Sequence, residues 1–141
     1  MIKKVYSKSN PSLLLNLIYV SEPSQGKTEK IERSGITEPG HFLQAMSFKL
    51  PADTEVKPHK HNPQERETSQ THEACLVLEG AIELSVYDTD NSIVEKTVLN
   101  GGDCTILING GHSIKTLTES KLFEFKNGPY NGPEKDKTPI N

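Results

Sequence analysis

A chain of 141 residues with a net charge of −3, its lysines and arginines scattered, is one domain with its own core and lacks a basic field for nucleic acid. No apolar run reaches the ~20 residues that span a bilayer as a helix, so no membrane partner is expected. Lysines precede the apolar residues 13–20 as in a secretion signal, but Asn16 interrupts the run and Ser21-Glu22-Pro23 is no small-x-small cleavage site, so the expected compartment is the cytoplasm.

In chain order, Asn10-Pro11 reads as a helix start, with Leu13, Leu14, Leu17 and Ile18 spaced as one apolar stripe, which predicts a short helix. Residues 21–40 read as loop, with an edge strand around residues 29–33. From His41 the pattern alternates, predicting strands over residues 42–48, 56–61, 72–78, 81–87, 93–99, 103–108, 113–117 and 122–126. Gly80, the Asp88–Asn91 cluster, Asn100-Gly101-Gly102 and Asn109-Gly110-Gly111 supply turns between them. Many short strands with little helix indicate an all-β antiparallel sandwich or barrel. The domain divides into a helix-and-loop segment 1–40, a barrel 41–126, and a tail 127–141 that wraps the surface or extends to a partner. Cys75 and Cys104, the two cysteines, lie in apolar strand-like runs and read as reduced, buried thiols.

Chemistry concentrates at His59-Lys60-His61, Glu73 and His112. Alternate residues of a strand share a face, so His59 and His61 could aim two imidazoles at one ion, with Glu73 and His112 completing the shell. Imidazoles and a carboxylate suit a divalent transition metal, with Fe, Mn, Ni, Zn and Cu undistinguished. Gln44, alternating with Met46 and Phe48, could offer a ligand a polar contact or serve packing or a turn, and Arg66 could clamp an anionic group or stand solvated. His72, next to Glu73, would point to the opposite face, in a supporting or solvent-exposed role. Tyr87, Lys115, Glu124 and Tyr130 could supply acid or base groups, though no spacing singles them out.

In motif order the chain resembles the cupin superfamily. His59-x-His61, Glu73 and Gly80 follow its first motif, and Gly102 through Asn109-Gly110-Gly111-His112 its second. The gap from His61 to Glu73 is longer than the family's, and Ile108 stands where a proline is usual. The resemblance implies a jelly-roll barrel and points to single-domain bacterial cupins associated with surface-polysaccharide or sugar-nucleotide biosynthesis. The expectation is a metal-binding protein that acts on or binds a small polar metabolite, such as a sugar or sugar nucleotide. Isomerase or epimerase-like chemistry, a dioxygenase and a non-catalytic ligand-binding or regulatory protein all stay open. Edge strands and the apolar N-terminal segment lead us to expect a homodimer.

Overall fold

The computed structural model describes residues 1–23 and 26–141. Among the described residues, ten strands run in chain order as β1 (Ile2–Tyr6), β2 (Leu14–Tyr19), β3 (Glu32–Gly35), β4 (Met46–Lys49), β5 (Glu73–Glu79), β6 (Ala81–Tyr87), β7 (Ile93–Asn100), β8 (Cys104–Leu107), β9 (Gly111–Thr116) and β10 (Lys121–Lys126). One helical turn, α1 (Pro133–Asp136), follows them. A five-stranded sheet has the order β1-β2-β8-β5-β10, a three-stranded sheet β7-β6-β9, and β3 pairs with β4. All pairings are antiparallel. The all-β expectation therefore holds, while the described strands form separate sheets and not a closed barrel.

The two larger sheets pack face to face. Val5, Leu15, Ile18 and Val77 of one meet Ile82, Leu84, Val86 and Leu99 of the other in one buried cluster. The five-stranded sheet is covered on its other face too, where Leu17, Ala74 and Ile106 pack under Ile36, Leu43 and Ala45 of the segment joining β3 and β4. Burial on both faces explains why the predicted N-terminal helix is strand β2. A strand enclosed on both sides needs no alternation, and the continuous run Leu14-Leu15-Asn16-Leu17-Ile18-Tyr19 mimics a helical stripe. Asn10-Pro11 is a turn and not a helix cap: Asn10 Oδ1 accepts the Ser12 amide at 3.2 Å, and its carbonyl accepts the Leu13 amide at 2.8 Å, reversing the chain between β1 and β2.

From β5 onward the predicted strands fall on observed ones within a few residues, β6 with identical bounds. The edge strand expected around residues 29–33 is β3, and the strand expected over residues 42–48 is confined to β4. Residues 24–25 of the expected N-terminal loop lie outside the described residues. The strand expected over residues 56–61 does not form. From residue 50 to residue 72 the chain has no regular structure and is largely exposed. Pro51, Pro58 and Pro63 remove backbone donors, and Asp53, Glu55, Lys57, Lys60, Glu65, Arg66 and Glu67 leave little apolar surface to bury.

Candidate functional site

At one end of the sandwich the interior becomes polar. β10 pairs with β5 in a register that sets Lys126 opposite Glu73, and β9 pairs with β6 so that His112 lies beside Val86. His112 follows the turn at Gly110, whose φ of +69° and close approach to the Tyr87 carbonyl leave no space for a side chain. The His112 imidazole reaches across to the other sheet, with Nε2 3.1 Å from Glu73 Oε1. Lys126 Nζ stands 3.0 Å from Glu73 Oε2 and 3.1 Å from both Glu124 Oε1 and Asp136 Oδ2. Lys137 Nζ lies 3.7 Å from the same Glu73 oxygen.

Glu73 is 6% exposed, yet its carboxyl is held down to about 2. The His112 hydrogen bond is the main cause; burial opposes the shift, and the Lys126 hydrogen bond and the charges of His112 and Lys137 add to it. Burial also works against the Lys126 ammonium, but hydrogen bonds to Glu124, Glu73 and Asp136 outweigh it and raise the group above its ordinary value. Since ionised Glu73 can only accept, His112 must donate through Nε2–H. Its other ring nitrogen, Nδ1, is buried with no hydrogen-bond partner among the described residues.

Glu73, His112, Asp136 and Lys137 line a cleft of about 840 Å³. Glu73, His112, Thr71, Tyr87, Leu107 and Ser113 form its floor and sides, and residues 133–134 and 136–140 wall it from above. Tyr87 Oη and Ser113 Oγ share a hydrogen bond of 3.2 Å at its edge. The cleft lining mixes charged and hydroxyl-bearing side chains with Leu107, Pro133, Pro139 and Ile140.

Of the four metal ligands expected from the sequence, the structure brings Glu73 and His112 together. His59 and His61 lie on the exposed stretch before β5, so the shared strand face that was to aim them does not exist. Their rings are 5.2 Å apart, and His59 Nδ1 is 2.9 Å from the Lys57 carbonyl. Among the described residues no group of three or more His, Cys, Asp or Glu side chains is arranged to hold a metal ion. Lys126 holds the cation position on Glu73. Gln44 donates from Nε2 to the carbonyls of Glu38, Pro39 and His41, bracing its own loop. Arg66 is exposed, and its one hydrogen bond is to the Gln64 carbonyl at 3.5 Å. His72 is not in solvent. It is 2% exposed and packs edge-on against His41, so burial first and His41 second lower its pKa. Cys75 and Cys104 are free, and burial pushes both thiols up to about 11.

Lys126, Asp136 and Lys137 were assigned no role in the site from the sequence. Lys126 carried one local signal, alternation with Glu124 and Leu122 on a strand, but its partner is set by the β5–β10 register.

Comparison with known proteins corrects the family reading. Residues 36–99, less than half of the chain, are similar to a domain of unknown function (DUF6016), and no cupin model matches. No curated protein and no solved structure matches. The cupin resemblance is overturned, and its weakest structural point is the one that carried it: His59-x-His61 lies on no strand. No described helix is long and apolar enough to cross a membrane.

Proposed function

We propose that this protein binds a small, hydroxyl-bearing polar metabolite in the cleft beside Glu73 and His112. One observation carries the reading: His112, fixed through Nε2 by a buried carboxylate, has a second ring nitrogen with no partner among the described residues. A buried polar group without a partner costs about 1–3 kcal/mol, which a hydrogen bond to a bound molecule recovers. The surroundings suit a sugar-like molecule. Tyr87 offers a ring face, Thr71, Ser113 and Thr138 offer hydroxyls, and a volume of about 840 Å³ admits one or two rings. The same nitrogen can accept a proton from a ligand hydroxyl, with Glu73 stabilising the imidazolium that results, so acid–base chemistry on such a ligand is compatible with the site.

The test is a ligand-observed and amide-shift titration with free hexoses, hexose phosphates and nucleoside-diphosphate hexoses. A saturable shift at the Gly111, His112 and Ser113 amides is expected, weakened by an order of magnitude or more in His112→Phe. No saturable shift with any of the three classes would defeat the reading.

A divalent transition metal is the second ligand class we propose, because Glu73 Oε1 and His112 Nε2 are close enough to share an ion once Lys126 withdraws. Metal analysis after exposure to Fe, Mn, Ni, Zn and Cu separates the two readings. One ion per chain, absent from His112→Phe, would favour the metal; absence of ions from both proteins would count against it.

A further inference from the structure

We infer that Lys126 is a positioning residue that latches the C-terminal segment, residues 133–140, over the cleft and couples its closure to the Glu73–His112 pair. This rests on the cleft being the binding site. The segment is held by few contacts. Helix α1 is a single turn with no buried residue, and its amides are tied only within the segment: Lys135 and Asp136 to the Gly132 carbonyl, Lys137 to that of Pro133. Its charged anchors converge on one place. Asp136 reaches Lys126 at 3.1 Å, and Lys137 reaches Glu73 at 3.7 Å. Beyond them Ile140 lies over Gly111, where an added Cβ would stand 2.5 Å from Cδ1.

Lys126 is the node because one ammonium serves both sides. It bonds Glu73, the carboxylate that orients His112, and Asp136, which belongs to the covering segment. A segment with little buried apolar surface opens locally at low free-energy cost, so its opening rate answers to those ionic contacts. His112 Nδ1, beside the cleft that the segment lines, is buried with no hydrogen-bond partner among the described residues. Lys126, by holding Asp136, therefore sets how readily the segment lifts from the cleft.

Hydrogen–deuterium exchange at constant pH on the full chain tests this, using the amides of Lys135, Asp136 and Lys137 as reporters. Asp136→Asn removes the latch on the covering segment and leaves Lys126 on Glu73. It should speed exchange at the three amides about tenfold while the core amides of β5 and β6 keep their protection. Lys126→Met should speed them at least as much and also change the ¹⁵N signature of the His112 tautomer, which Asp136→Asn should leave in place. Unchanged exchange at these amides in both variants would overturn the proposal, as would an Asp136→Asn tautomer change as large as that of Lys126→Met. Should Lys126→Met fail to fold, Asp136→Asn alone decides, since it lies outside both sheets. These readouts need no ligand, so a failed metabolite titration and a failed latch are separate results.

Discussion

Glu73 carries a full charge in a place where water cannot solvate it, and its neighbours do what water would. With a carboxyl pKa of about 2 against an ordinary 4.5, the folded state binds a proton on Glu73 less readily than the unfolded chain. Its contribution is thus fully present above pH 4.5 and is lost as the pH falls through about 2. Glu73→Gln should lower unfolding free energy at pH 7 on the order of 3 kcal/mol. The gap between variant and native protein should close as the pH is taken from 4.5 down to 2, as measured by urea unfolding. A gap independent of pH over that range would mean that Glu73 acts through shape and not charge. The sequence singled out Glu73 and His112 as two of four expected ligands of one ion, and the fold sets these two 3.1 Å apart. Lys126 was not singled out, because a lysine ending a strand gives no sign of the carboxylate opposite it on the next strand.

At the level of the strands, β2 shows what pattern reading loses. Its position between β1 and β8, covered on both faces, erases the period of two that betrays most strands, whereas β6 and β7 were read nearly to the residue. Asn16, which looked like a break in an apolar run, is fully buried and accepts a hydrogen bond from Thr105 Oγ1 at 2.8 Å, stitching β2 to β8. Thr105→Val should cost about 1–3 kcal/mol by stranding the Asn16 carbonyl. Adding Asn16→Leu should recover much of that, since the double variant leaves no polar group unpaired. A double-mutant cycle by urea denaturation gives the coupling, and additivity of the two changes would show that the bond contributes nothing to stability. The burial of Cys75, by contrast, was readable, because a thiol in an apolar strand run has few other places to go, whereas Cys104 at the start of β8 is only half-buried.

For the molecule as a whole, antiparallel sheets were expected from the number and spacing of short apolar segments, and they are present. Closure into a barrel was not legible, since it depends on whether residues 50–72 supply a strand, and that segment has too many prolines and charges to do so. That long exposed stretch makes the chain divisible. Lys60 and Arg66 offer cleavage points in an exposed stretch that trypsin can seat, while the strands on either side are held in sheets. A cut there separates β1–β4 from β5–β10, yet the halves remain joined where β2 pairs with β8 from Asn16–Leu107 to Tyr19–Cys104 and where Leu15 and Ile18 share a cluster with Val77 and Leu84. Brief digestion should therefore yield two fragments that travel together on size exclusion and part only in denaturant. Two such pieces, made separately, would reassemble by completing one another's core, so the protein is in effect a natural split pair held in one chain by a tether.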